Sequence, residues 1–150
     1  MMSVYNSIAE IKLRILLLLT TSTQEFLSSD MIAALDFITV YGKEFGISDK
    51  NLHGDNRYKF SELPSRREIV GKAIKSLVLD GMLEISLSNG FEYQINNKGF
   101  DYIDSFETEY SEEYTENAAL ACKKYGDMDE AELFIMIQSK SVVPIIREEE

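Results

Sequence analysis

The single histidine of the chain, His53, lies in a polar loop between two acidic residues, Asp49 and Asp55. A histidine beside carboxylates can bind a metal ion or transfer a proton. In a loop that also contains glycine and asparagine, a lone histidine more often stabilises a turn or contacts another molecule. We therefore expect His53 to be a contact residue, with no catalytic residue and no metal ligand in this loop.

Other reactive groups are few. Cys122 falls within a predicted amphipathic helix with no histidine nearby in the sequence, which predicts a buried, unreactive thiol. A single cysteine is typical of a reducing compartment, so we expect a cytoplasmic protein without an internal disulfide. The glycines at 42, 46 and 54 match no phosphate-binding fingerprint. These observations predict a protein that is not an enzyme and holds no cofactor.

Basic residues recur along one predicted helix, where Arg66, Arg67, Lys72 and Lys75 would form the exposed face that enters a DNA major groove. The overall charge opposes this function. The chain has 15 basic and 26 acidic residues, a net charge of −11, and the last fifty residues hold 4 of the basic and 14 of the acidic ones. Because nucleic-acid binding depends on cations that displace counterions, we expect any DNA contact to be indirect or auxiliary.

The four basic residues must be positioned by the elements between residues 61 and 103. Ser65 and Glu68 have the spacing of a capping box, which predicts a helix over 65–80. Residues 82–95 alternate between apolar and polar around Asn89-Gly90, the pattern of a β-hairpin. A helix followed by a hairpin is the core of a winged helix-turn-helix with a two-stranded wing.

The flanking sequence predicts further helices. One spans 4–20 and another begins after Ser28, as expected for the trihelical part of a winged helix. A long helix over 97–125 carries an aromatic stripe, and a shorter helix follows over 128–139. The fold class is thus mostly α (α+β), with a helical C-terminal extension.

The predicted division of the chain is a winged-helix domain over 1–103, a continuous helical extension over 104–140 and a flexible tail over 141–150. The connector over 46–60 is expected to be an ordered loop, because it contains Leu52, Tyr58 and Phe60. No apolar run reaches the roughly 20 residues of a membrane helix, so we expect no membrane segment.

Five segments resemble the middle component of bacterial ABC-three-component conflict systems, the class that includes the small subunit of Lamassu anti-phage defence. The resemblance covers residues 10–125. The segments are LRILLLL at 13–19, LDFITVYG at 35–42, NLHGDN at 51–56, FSE at 60–62 and SRRE at 65–68.

This resemblance implies a non-enzymatic adaptor subunit. Its partners would be an ATPase similar to the structural-maintenance and repair ATPases (SMC/Rad50-like) and an effector, often a nuclease. The loop, the double arginine and the aromatic stripe then become candidate partner contacts. The predicted contact residues are Asn51, His53, Asp55, Asn56, Tyr58, Arg66, Arg67, Tyr110 and Tyr114.

The sequence is also consistent with a function other than that of an adaptor subunit. The chain could be a dimeric winged-helix transcription regulator, in which the helix over 97–125 forms the dimer seam and the helix over 65–80 reads an operator.

Overall fold

The structure, a computed structural model, describes residues 7–54 and 58–149, with side chains up to Ser141. This part of the chain is mostly helical, with a small antiparallel sheet. The helices are α1 (Ile8–Thr21), α2 (Ser29–Val40), α3 (Leu63–Leu79), α4 (Asn97–Asp104), α5 (Glu109–Tyr125) and α6 (Glu130–Glu149). The strands are β1 (Leu27–Ser28), β2 (Leu83–Ser86) and β3 (Glu92–Ile95). Two 3-10 turns, Gly42–Phe45 and Lys59–Glu62, lie between α2 and α3.

Helix α2 lies at the centre of the fold. Ser28 caps it as the sequence predicts, because its Oγ accepts a hydrogen bond from the backbone N–H of Met31. Every residue from Met31 to Val40 is buried. A helix that is apolar nearly all round must be covered on every side, and α2 is packed against α1, α3 and α5.

Helix α3 begins earlier than predicted. It starts at Leu63, with Pro64 in its first turn, and no side chain caps it. The predicted capping box of Ser65 and Glu68 is therefore wrong. The reason is that the 3-10 turn Lys59–Glu62 runs directly into α3, so Ser65 already lies inside the helix.

The predicted hairpin is confirmed. Strands β2 and β3 pair antiparallel from Leu83 opposite Ile95 to Ser86 opposite Glu92. Gly90 in the turn has a φ of +82°, a conformation that favours glycine. Strand β1, which no sequence pattern predicted, pairs with β3 to complete a sheet of order β1-β3-β2. Two residues are too few to show a strand's alternation.

The predicted single helix over 97–125 is wrong, because the chain forms α4 and α5 with a break between Asp104 and Glu109. Thr108 and Ser111 cause this break by forming a capping box: each side-chain oxygen accepts a hydrogen bond from the other residue's backbone N–H. The break lets α5 pack on α1 and α2.

Helix α6 is longer than the helix predicted over 128–139. Leu133 and Ile137 are buried in the core, and the helical backbone continues to Glu149, where the sequence suggested a flexible tail. Across the described part of the chain, every helix is too short or too polar to span a bilayer.

Candidate functional site

A buried carboxylate, Asp36 of α2, joins four helices. It accepts hydrogen bonds from Arg14 of α1 at both oxygens, from Nε to Oδ1 and from Nη2 to Oδ2, each at 3.0 Å. Arg66 Nη1 of α3 donates to Oδ2 at 2.6 Å, and the Tyr114 hydroxyl of α5 donates to Oδ1 at 2.7 Å. We call these four residues the Asp36 cluster.

Two further carboxylates flank the cluster, each one helical turn before an arginine. Glu10 Oε2 lies 2.6 Å from Arg14 Nη1, and Glu62 Oε1 lies 3.5 Å from Arg66 Nη2. Glu62 Oε2 also accepts a hydrogen bond from the Tyr41 hydroxyl at 2.9 Å. Two guanidinium groups therefore face three carboxylates.

The charges of the cluster stabilise one another. Burial alone would raise the pKa of Asp36, but the guanidinium groups of Arg14 and Arg66 outweigh it and hold this pKa well below its usual range. Burial raises the pKa of Tyr114 far above that of a free tyrosine. At neutral pH, Asp36 is thus ionised and Tyr114 is a neutral donor, an arrangement suited to fixing the helices rather than to transferring protons.

His53 contacts the helix next to the cluster. Its Nε2 lies 2.7 Å from the Tyr110 hydroxyl of α5, and the two rings are stacked with centroids 6.1 Å apart. Burial and the nearby cations Arg14 and Arg66 lower the pKa of His53 to about 3. The imidazole is therefore neutral at physiological pH, and its contact fixes the 46–54 segment to α5.

Three of the predicted contact residues lie inside the protein. Tyr114 is fully buried and Arg66 is 4% exposed, because both point at Asp36. Asn51 is also buried, where its Oδ1 accepts a hydrogen bond from the backbone N–H of Lys43 at 3.1 Å. The expectation that Arg66 lies on the exposed face of its helix is therefore wrong, whereas partner binding by these three residues stays a prediction. Asp55 and Asn56 lie outside the described residues.

The other predicted contact residues are more accessible. Tyr58 is 68% exposed, whereas His53 and Tyr110 are half-buried. Arg67 is exposed but engaged: Nε and Nη2 donate to the two carboxylate oxygens of Asp30 at 3.1 and 2.8 Å. Its guanidinium carbon also lies 4.7 Å from the ring centroid of Phe134.

The cationic face predicted for α3 is largely neutralised. Arg66 is buried, Arg67 is paired with Asp30, and Lys72 lies 3.4 Å from Glu68. Only Lys75 of these four cations has no carboxylate within ion-pair distance among the described residues. The geometry therefore gives α3 little free positive charge for a phosphate backbone.

A cleft of about 350 Å³ opens beside the Asp36 cluster. It is lined by Ile11, Arg14, Ser61, Glu62, Ser65, Arg66 and Ile69. Because the surrounding carboxylates already balance both guanidinium groups, the cleft has no net positive charge to attract an anion.

The described residues hold few other groups that could carry chemistry. Within the described ranges, no three His, Cys, Asp or Glu side chains converge closely enough to hold a metal ion. Cys122 is buried as predicted, and burial raises the pKa of its thiol. A raised pKa keeps a thiol in its protonated form, which is a poor nucleophile.

A protein-family model matches most of the chain. The family model described as ABC-three component (ABC-3C) system Middle Component 2 matches residues 4–145. The chain belongs to this family. It is accordingly a component of a multi-subunit system, and the resemblance to middle components is confirmed. No curated protein and no solved structure gives a significant match.

The matched region of this middle component extends further than the resemblance over residues 10–125. It contains the whole Asp36 cluster and most of α6. Sequence reasoning missed Asp36 and Arg14, although each interrupts an apolar helical run, in AALDFI and LRILL. Opposite charges embedded in two apolar helices are the pattern that could have identified the pair.

Proposed function

We propose that this middle component is a non-enzymatic adaptor of an anti-phage defence complex of the Lamassu class. It would link an SMC/Rad50-like ATPase to an effector nuclease in the cytoplasm through protein contacts. The observation that carries this proposal is the family match over residues 4–145, which makes the chain one part of a multi-component system.

The arrangement of elements is consistent with a platform. The order α1-β1-α2-α3-β2-β3 and the sheet order β1-β3-β2 support a winged helix with a two-stranded wing, which we propose as the fold. The Asp36 cluster supports the assigned role because it fixes α1, α2, α3 and α5 in one arrangement. A rigid body presents its surfaces to partners at little entropic cost.

Of the sequence-predicted contact residues, we retain the accessible ones as partner contacts. Tyr58 has the exposure and the side-chain type of an interface anchor. Arg67 presents a guanidinium group that is already oriented by Asp30. The contribution of each is testable with Tyr58→Ala and Arg67→Ala.

Co-purification tests the adaptor function. The chain is expressed with the neighbouring ATPase alone, with the effector alone and with both, and each mixture is analysed by size-exclusion chromatography. An adaptor is expected to co-elute with each partner and to be required for the ATPase and effector to co-elute. If the two partners associate equally well without the chain, it is not the link between them.

The transcription-regulator alternative is favoured by the element order and by the unpaired Lys75 on α3. The neutralised cations on the same helix and the net charge of −11 oppose it. A gel-shift assay separates the two functions. Salt-sensitive binding of duplex DNA by the purified chain would support the regulator, and its absence up to micromolar concentrations would support the adaptor.

A further inference from the structure

The second half of α3 and the β2–β3 hairpin enclose an apolar groove of about 450 Å³. We call it the α3–hairpin groove. It is separate from the Asp36 cluster and from the predicted contact loop. Its walls include Lys75, Val78, Leu79, Ile85, Phe91 and Tyr93.

The apolar side chains at this groove are unusually exposed. Leu79 is 87% exposed and Phe91 is 64% exposed. Ile85, which pairs with Tyr93 across the hairpin, is 43% exposed, and Leu87 just beyond the end of β2 is 68% exposed. Single exposed apolar residues are common, but several that line one concave surface mark an interaction site.

The groove has one charged residue in its lining, Lys75. No carboxylate of the described residues lies within ion-pair distance of its amino group. Glu84 and Glu92 belong to the hairpin, but the strand alternation places them on the opposite face from Ile85 and Tyr93. The groove is thus apolar with one positive charge, on a chain whose net charge is −11.

We propose that the α3–hairpin groove binds an amphipathic helix of a partner protein. Apolar side chains spaced by three and four residues would fill the groove, and a carboxylate of the same helix would pair with Lys75. This inference rests on the adaptor function, since it assigns one of the surfaces through which the adaptor holds a component of its complex.

A helix fits the geometry better than an added strand. The exposed apolar groups lie on both walls, Leu79 on α3 and Phe91 at the hairpin. A strand added to the free edge of β2 would extend the sheet and would leave Leu79 uncovered. A helix lying between the two walls covers both.

Charge argues against a second copy of this chain as the occupant. A symmetric dimer formed through the same groove would place both Lys75 amino groups in one interface whose lining holds no carboxylate, because the two copies use the same patch. It would also join two chains that each carry a net charge of −11. A partner helix with a carboxylate meets neither difficulty.

The test uses the full chain co-expressed with the ATPase and the effector encoded beside it. The groove variants are Leu79→Glu combined with Phe91→Glu, and Lys75→Glu alone. The matched controls are Ile135→Glu, at a residue of α6 that is 66% exposed, and Lys123→Glu on the exposed side of α5. Thermal unfolding of each purified variant verifies that the fold is retained, as the exposure of these positions predicts.

The double groove variant is expected to lose at least tenfold of one co-purifying component, and Lys75→Glu severalfold, while both controls retain it. Retention of both components by the groove variants would overturn the groove inference and leave the adaptor function standing. If the wild-type chain retains neither component, both proposals fail. If the wild-type chain alone elutes as a dimer that the double variant converts to a monomer, the occupant is a second copy and the partner-helix inference is wrong.

Discussion

At the residue scale, the carboxylate of Asp36 is the group on which two buried cations depend. It accepts hydrogen bonds from Arg14 and Arg66 as well as from Tyr114. Replacing two charges by apolar groups of the same shape can be neutral, but removing one partner leaves a buried charge uncompensated. Removing Asp36 alone should therefore cost more stability than the intact cluster contributes on balance.

Asp36→Asn is expected to destabilise the fold by about 3–5 kcal/mol, because two buried guanidinium groups lose their shared counter-charge. Urea unfolding followed by circular dichroism at pH 7 measures this loss. Asp30→Asn is the matched control: it removes the partly exposed carboxylate that pairs with Arg67, and it should cost less than about 1 kcal/mol. Equal effects of the two variants would contradict the special role of Asp36.

The buried imidazole of His53 predicts a pH dependence of stability. Its pKa is about 3 in the folded chain, whereas a histidine free in solution has a pKa of about 6.5. The unfolded chain therefore binds the proton first, so the contribution of His53 is fully present above pH 6.5 and is lost as the pH falls toward 3. Between pH 7 and pH 5 we expect a loss of about 1–2 kcal/mol from this residue.

The variant His53→Gln isolates this effect. Burial raises the pKa of Glu10, which stabilises the folded state as the pH falls and opposes the effect of His53. The free energy of unfolding in urea is measured for wild type and for His53→Gln at pH 7 and at pH 5. The change between the two pH values in the variant is subtracted from the change in wild type, which removes the contribution of Glu10 that both proteins share. A difference that does not change with pH would show that His53 does not titrate as the structure predicts.

The sequence contained more information about Arg66 than its charge suggested. Arg66 has the helical spacing of the buried residues Val70, Ala73 and Leu77, so its position on the inner face of α3 was predictable from periodicity. Its charge favoured the surface instead. The deciding factor was Asp36, thirty positions away in the sequence, and a contact of that kind is not encoded in local pattern.

At the element scale, helix α4 depends on close contact with the strands before it. Gly99 lies in its first turn, and Asn96 caps that turn by accepting a hydrogen bond from the Gly99 N–H at 3.0 Å. A Cβ at position 99 would lie 2.6 Å from Ile95 Cγ1 and 2.8 Å from the carbonyl oxygen of Met82. Such contacts require the helix or the strand to move.

Gly99→Ala is therefore expected to destabilise the fold by about 1–3 kcal/mol through overpacking. Gly71→Ala is the matched control within α3, where the nearest atom to the added Cβ is Ser29 Oγ at 3.9 Å. The control should be neutral or stabilising by up to about 1 kcal/mol, since alanine favours a helix interior. Thermal unfolding of both variants tests the contrast, and two shifts in the same direction would contradict it.

Elements marked by local chemistry were predictable, and those fixed by tertiary contacts were not. Asn89-Gly90 predicted the hairpin, and Ser28 predicted the start of α2. The aromatic stripe over 97–125 concealed the break that Thr108 produces, because apolar spacing happens to continue across it. Strand β1 exists only because β3 provides a pairing partner.

At the scale of the whole molecule, α5 is part of the central core. On its inner face, Tyr114 donates a hydrogen bond to Asp36, and Ala118, Ala121 and Cys122 are buried. At its C-terminal end, the Tyr125 hydroxyl donates to the carbonyl oxygen of Phe45 at 2.9 Å. The sequence-based division at residue 103 separates α5 from the helices that it covers.

A chain that ends at residue 106 is accordingly expected not to fold cooperatively. The loss of α5 would expose the apolar faces of α1 and α2 to water and would leave Asp36 without the donor Tyr114. We expect a poorly dispersed amide NMR spectrum and strong binding of a hydrophobic dye. A chain that ends at residue 141 is the control: it keeps α5 together with Leu133 and Ile137, so it should unfold in one transition. If the shorter chain instead gives a dispersed spectrum and a single sharp transition, the first 106 residues form an autonomous domain and α5 is an appendage to it.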